Sequence, residues 1–453
     1  MNKKIIIGAG VVGVIAVAAG TAVGLHYWER QQARTDLDTV GISYSEANFI
    51  DEACAGNRAA VVLFLKTGMS PRTRGKDDVT PLHCAARHGQ DKLVQLLLTR
   101  GAEVDARSKD ERSPLHEASA KGSVEAVQLL LNAGANINAA SRAGDTPLLL
   151  AGQRKTDVVT LLLEKGADAK ARNKNGETAL LRVAAQYGQG KEPLELADLL
   201  LKSGADPNAA TNDGRTPLIS AIGSNNKAMV EKLLAAGSDV NARSASTTAL
   251  IAASSRIELL KLLLEHKADP NLATDNGQTA LEQIARSGNV EAAKLLLDAG
   301  ATVDAGLIGR DGPLHSAASL SNYELIQLLL SKGADANARG QGGRTPLHAI
   351  ASAGRSNDAG RLNSAKLLLE FGAKMDATNS QGQTPLMLAQ QMGNTELVEL
   401  LSPRTNLRPA TGPATPTGRP GSAPLPPAAP QNRYGSMPMP APAPAATPYP
   451  QGR

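Results

Sequence analysis

Residues 80–101 read TPLHCAARHGQDKLVQLLLTRG, and the order of residue types in this stretch decides the fold. Thr80 is suited to cap a helix, and Pro81 suits the first turn, where its missing N–H costs nothing. Ala85 and Ala86 allow close approach of a neighbour, and Gly89 supplies a turn. A second helix then carries the run Leu96-Leu97-Leu98 and closes at Gly101, a residue able to take the positive φ that ends a helix. Two helices this short have too little apolar surface to fold by themselves, so the stretch demands a neighbour built in the same way.

The chain supplies such neighbours. The first tetrad recurs as Ser113-Pro114-Leu115-His116, Thr146-Pro147-Leu148-Leu149, Thr178-Ala179-Leu180-Leu181 and Thr216-Pro217-Leu218-Ile219, then as Thr248-Ala249-Leu250 and Thr279-Ala280-Leu281. Gly312-Pro313-Leu314-His315, Thr345-Pro346-Leu347-His348 and Thr384-Pro385-Leu386 complete the series, with spacings of 33, 33, 32, 38, 32, 31, 33, 33 and 39 residues. The units resemble the ankyrin repeat over residues 45–401, and the resemblance implies an all-α solenoid of about 11 helix-turn-helix units with finger turns between them. The opening unit is degenerate, with Phe49 and Gly56 where Leu82 and Gly89 stand in the next. The last helix, 395–401, carries Glu396 and Glu399 outward and is suited to cap the array. Asp78, Glu111, Ser246 and Arg310 replace the glycine that six other fingers carry two residues before the tetrad, so those four fingers are expected to be distorted. The sixth unit is two residues short between its helices and has Lys267 in place of its closing glycine, a place for the curvature to break. Additions near 188–193 and 354–362 lengthen two units between their helices.

The amino terminus is of another kind. Ile5 to Leu25 is a run of 21 uncharged residues, about 31 Å as a helix, which matches the hydrocarbon core of a bilayer. Lys3 and Lys4 flank it on one side, Tyr27 and Trp28 on the other, where amphipathic rings settle among headgroups. Gly8, Gly10 and Gly13 have dinucleotide-turn spacing, but no second strand follows, and the would-be helix is apolar on every face. Residues 1–28 are therefore expected to form a transmembrane anchor and 29–44 a linker, with 402–453 a Pro-rich disordered tail holding 15 of the 26 prolines. A cleavable signal peptide ending near Ala18 is the alternative. Either outcome exports the array. The expected location is a bacterial inner membrane with the bulk in the periplasm, or a soluble periplasmic or secreted form acting as effector or inhibitor of an envelope enzyme.

Net charge is +5, but residues 1–401 balance 43 basic against 43 acidic side chains, and the excess belongs to five arginines of the tail. A nucleic-acid partner is not indicated. Cys54 and Cys84 fall one helical turn out of register on first helices of adjacent repeats, and with helix axes about 8–10 Å apart a disulfide is not expected.

No nucleophile–base set, phosphate loop or metal-ligand spacing emerges, so neither catalysis nor a cofactor or metal is expected. The resemblance implies that the tetrad histidines hydrogen-bond the backbone of neighbouring fingers. It also implies that a partner protein docks on the concave side, along finger turns and the exposed ends of first helices. Those positions hold Lys76, Arg87, His88, Lys109, Arg112, Lys121, Arg142, Arg154 and Lys174, with Asp77, Asp110, Asp145 and Glu177 among them. The excess of basic groups predicts a partner with an acidic surface.

Overall fold

Why each short helix starts and stops where it does is visible at repeat two. Thr80 is extended, its Oγ1 accepts the His83 N–H, Pro81 opens the helix, and Gly89 ends it in the left-handed region with φ 66°. Thr178, Thr216, Thr248, Thr279 and Thr384 cap their helices in the same way. Second helices have a cap of their own, because the side chains of Asn57, Asn226, Asn289, Asn322 and Asn394 accept a backbone N–H of the first turn.

The computed structural model describes residues 22–151, 156–186, 191–304, 309–353 and 358–402. Among the described residues the long elements are all helices, and β-pairing is reduced to one isolated bridge between Arg243 and Thr248. The chain opens with α1 (Ala22–Thr39), followed by the pair α2 (Glu46–Ala55) and α3 (Arg58–Lys66), then α4 (Pro81–His88) and α5 (Asp91–Thr99). Pairs continue to Pro385–Gln391 and Thr395–Leu401, where Glu396 and Glu399 point to solvent as a terminal helix requires. First helices stack through buried alanines, among them Ala85, Ala118, Ala184, Ala221, Ala249, Ala285 and Ala318. Second helices contribute Leu97, Leu130, Leu162, Leu200, Leu233, Leu263, Leu296 and Leu329, each buried between layers and each stabilising the stack by about 1.5–3 kcal/mol.

Several expectations need correction. Cys54 and Cys84 are joined as a disulfide with Cα atoms 4.5 Å apart. The expectation compared axis separations, but a Cα facing its neighbour sits about 2.3 Å nearer than the axis, so axes about 8–10 Å apart bring facing Cα atoms to about 3.5–5.5 Å. Asp78 and Glu111 keep the left-handed finger conformation, φ 58° and 57°, without glycine. Lys267 does likewise at φ 66°, and Ala268 N–H still reaches the Leu263 carbonyl at 3.0 Å. Non-glycine residues in this region cost about 1 kcal/mol each, which the hydrogen-bonded frame around them offsets. The sixth finger does depart from the rest. Its closing bond runs from Ser244 N–H to Thr247 C=O, one residue shorter than Ser108 to Arg112 or Thr211 to Arg215, and its first helix is only Ala249–Ala252.

The stretch 29–44, expected to be a linker, is helical as far as Thr39 and packs on the first repeat through buried Ala33 and Leu37. Arg34 lies over the Tyr44 ring at 4.5 Å, and Tyr44 stacks on Phe64 at 6.0 Å. Among the described residues no helix is long and apolar enough to cross a membrane. Most of the apolar run 5–25 lies outside them, as do the tail from 403 and residues 188–190 and 354–357 of the two expected insertions.

The tetrad histidines lock each repeat to the next finger. In His116, Nδ1 accepts the Ser113 N–H at 3.0 Å and Nε2 donates to the Asp145 carbonyl at 3.0 Å. His83, His315 and His348 repeat this with the carbonyls of Arg112, Arg344 and Gln383 at 2.9, 3.0 and 2.9 Å. One ring nitrogen accepts and the other donates, so the ring must be neutral. Burial pushes the His116 imidazole down to about 4 and lowers those of His83 and His348. The folded form then binds fewer protons than the unfolded chain, so this stability is complete above about pH 6.5 and is lost as pH falls toward 4. Stability followed by circular dichroism should decline across that interval. His116→Leu should lose about 1–3 kcal/mol at pH 7 and show a shallower decline; a pH profile identical to that of the unaltered protein would contradict the clamp.

Candidate protein-binding face

Finger turns are stitched to one another by backbone bonds. The N–H of Lys109 donates to the Asp77 carbonyl at 2.7 Å, that of Arg142 to Asp110 at 2.8 Å, that of Lys174 to Ala143 at 2.9 Å and that of Asn212 to Asn175 at 2.9 Å. The donor position is the fourth residue before the tetrad in every case, and Lys76 holds the same place in the first finger. Lys76, Lys109, Arg142 and Lys174 are thus aligned along four consecutive fingertips, all exposed. The row changes character at Asn212, and later fingers place Asp275, Gln341 and Ser380 there.

The other expected residues divide into two groups. His88 and Lys121 end first helices and are exposed, with the Lys121 stem lying against Gly89. Arg154 lies outside the described residues. Arg87 and Arg112 are drawn inward to a carboxylate that the sequence reading passed over. Glu117 is only 4% exposed; its Oε2 accepts from Arg87 Nε at 2.9 Å and its Oε1 lies 3.5 Å from Arg112 Nη1. Burial pushes the Glu117 carboxyl up, but the Arg87 hydrogen bond and the charges of both arginines outweigh burial and hold it below the usual carboxylate range. Together with Asp77, Lys109 and Asp110 these three groups line a groove of about 360 Å³ whose formal charges cancel.

A mirror arrangement neutralises two of the expected acids. The Arg182 guanidinium bridges Asp145 at 2.7 Å and Glu177 at 2.8 Å and donates to the Leu149 carbonyl at 3.2 Å. Its hydrogen bond holds the Glu177 carboxyl below the ordinary value. Further along, fully buried Glu282 pairs with Arg286 at 3.1 Å and Arg310 at 3.5 Å. A signal for two of these was available: one residue after the tetrad stand Cys84, Leu150, Ser220, Ala252, Gln283, Ser316, Ala349 and Leu388, and only Glu117 and Arg182 are charged there.

What remains uncommitted is a basic row. Lys109 has a loose contact to Asp77 Oδ1 at 3.5 Å, both exposed, and a pair of that kind is worth little. Lys76, Lys121, Arg142 and Lys174 have no ion pair among the described residues. Among the same residues no group of three or more His, Cys, Asp or Glu is placed to hold a metal ion. The inward-turned arginines make a prediction on stability. Replacing Arg87 and Arg112 together with Ala strands a buried carboxylate and should cost about 3–5 kcal/mol. Glu117→Gln leaves two part-exposed guanidinium groups able to reach water and should cost only about 1 kcal/mol. Urea denaturation of the two variants gives the order, and the reverse order would contradict the assignment of Glu117 as the buried hub.

The family described as "Ankyrin repeats (3 copies)" matches residues 50–141, 90–173, 115–211, 148–244, 244–306 and 314–409. No curated protein matches the chain. Helix pairs, fingers and histidine clamps recur at the spacing those matches follow, and the chain belongs to the ankyrin-repeat family.

Proposed function

We propose that this chain is a non-enzymatic scaffold, anchored in a bacterial inner membrane by residues 5–25, whose array faces the periplasm and docks a partner protein with an acidic surface. The observation that carries the partner's chemistry is the row Lys76, Lys109, Arg142 and Lys174, held in line by backbone bonds between fingers and flanked by Lys121. Arg87 and Arg112 support the row from below; Glu117 engages both and offsets one of their two charges, so they contribute rigidity more than attraction. Because the row is set by backbone geometry, little ordering cost attends docking, and its charges act on selectivity and association rate more than on final affinity.

Two features support export and anchoring. Tyr27 and Trp28 are exposed on α1, beside the end of the apolar run. The Cys54–Cys84 disulfide suits an oxidising compartment. Cleavage after Ala18 would leave α1 whole on the array, so the soluble alternative keeps the same docking face, lacks the anchor and is told apart by the mass of the mature chain.

The docking test is charge reversal at positions that have no structural partner. Lys121→Glu, Arg142→Glu and Lys174→Glu together should lower capture of the partner from envelope extract by about tenfold or more, chiefly through slower association, with a smaller difference at high salt. Equal capture at low salt would remove the basic row from the account. Alkylation of protein taken directly from its own cells tests the compartment separately: no free thiol is expected, and two alkylated cysteines would place the array in a reducing space.

A further inference from the structure

The helix that leads into the array also fixes how the array stands. Two contacts set the direction of α1 against α3. The Arg30 guanidinium lies over Gly68, just past the end of α3, at 3.3 Å from where a Cβ would be. Arg34 covers Tyr44, which stacks on Phe64 in the last turns of α3. Four residues forward along α1 correspond to four residues back along α3, so the two helices run antiparallel. From Arg30 back to Ala22, α1 therefore projects beyond the edge at which second helices end, by about 12 Å at 1.5 Å per residue. Trp28, 49% exposed, and Tyr27, 66% exposed, stand two and three residues past Arg30, about 3–5 Å further along the axis.

That edge is basic where α1 leaves it. Lys66 ends α3, Arg100 follows α5, and Arg72 lies between them with its Nε donating to the Gly101 carbonyl at 3.0 Å. All three are exposed and none has an ion pair among the described residues. The acids of the same edge are engaged: Glu103 holds Arg74 at 3.2 Å, and Asp105 accepts the Asn136 N–H at 3.0 Å. In later repeats the positions of Lys66 and Arg100 hold a lysine again only at Lys165, beside Glu164, at Lys202, and at Lys332, which pairs with Asp298 at 2.9 Å.

We propose that the edge of repeats one and two where their second helices end lies on the bilayer surface and binds anionic phospholipid headgroups through Lys66, Arg72 and Arg100. The inference rests on the reading of residues 5–25 as a membrane span. With Tyr27 and Trp28 at headgroup level, the Gly68 turn stands within about 5 Å of that level, and basic residues so close to an anionic surface are attracted to it. The fixed helix, in place of a flexible tether, also gives the fingertip row one constant orientation to the membrane.

The test uses the full chain in liposomes of phosphatidylcholine with or without phosphatidylglycerol, carrying a headgroup spin label as quencher. Trp28 is the only tryptophan, and the native cysteines are closed in the disulfide, so a fluorophore can be placed on Thr99→Cys at the edge or on Lys92→Cys at the opposite end of α5. Quenching is expected for Trp28 and for position 99, stronger with phosphatidylglycerol, and not for position 92. Lys66→Glu with Arg100→Glu should weaken quenching at position 99 about fivefold while leaving Trp28 unchanged. Quenching of Trp28 with positions 99 and 92 alike would overturn the orientation and leave the anchor standing. Quenching at 99 that ignores both lipid charge and the double reversal would overturn headgroup binding, and an unquenched Trp28 would overturn the anchor itself.

Discussion

Contact between one repeat and the next is the constraint from which the rest of this structure follows. Helices of eight or nine residues have no stability of their own, so each is held by the layer beside it. Two kinds of bond make that contact specific. Imidazoles in repeats two, three, nine and ten reach the carbonyl before the following tetrad, and fingertip N–H groups reach carbonyls of the preceding finger. The apolar stack supplies the energy, while these polar bonds set register and angle. Repeats four to eight have Leu149, Leu181, Ile219, Ile251 and Glu282 where the imidazoles stand elsewhere, so the middle depends on packing, fingertip bonds and single polar links such as that of Arg182 to the Leu149 carbonyl. The shortened sixth finger falls in that middle.

The same nearest-neighbour logic governs charge. A carboxylate one residue beyond the tetrad is buried by stacking and must find a cation, and Glu117 takes Arg87 from its own layer's predecessor and Arg112 from the finger before it. Arg182 solves the inverse problem with Asp145 and Glu177. Pairing thus engages two bases at one place and two acids at another, and leaves the fingertip charges of Lys76, Arg142 and Lys174 without an ion pair among the described residues. That Arg87 and Arg112 are engaged by Glu117 was not readable from their positions in the sequence.

Sequence and structure part company for identifiable physical reasons. The helix pairs, their caps and the histidine roles are legible because they repeat at fixed spacing, and a local rule seen ten times is hard to misread. Glu117 and Arg182 escape such reading because each occurs once, and its partners come from residues up to 37 positions away. The disulfide escapes because the distance between two facing Cα atoms is a small difference between larger lengths. Helix α1 escapes because its polar run, from Glu29 to Gln32, shows no apolar stripe, and it is held to the array by only Ala33, Leu37 and two arginine contacts. Asp78 and Glu111 show that the finger turn is imposed by its hydrogen bonds and merely eased by glycine.

A docking surface built from fingertips requires the fingers to be set before a partner arrives. Native-state hydrogen exchange at the amides of Lys109, Arg142, Lys174 and Asn212 measures this directly, since each is an exposed residue whose N–H is engaged only by the neighbouring finger. Slow exchange, comparable with that of the adjoining helices, is the expected result. Exchange at the rate of an unprotected chain would mean that the fingers are not held to one another, and the preformed basic row would have to be abandoned.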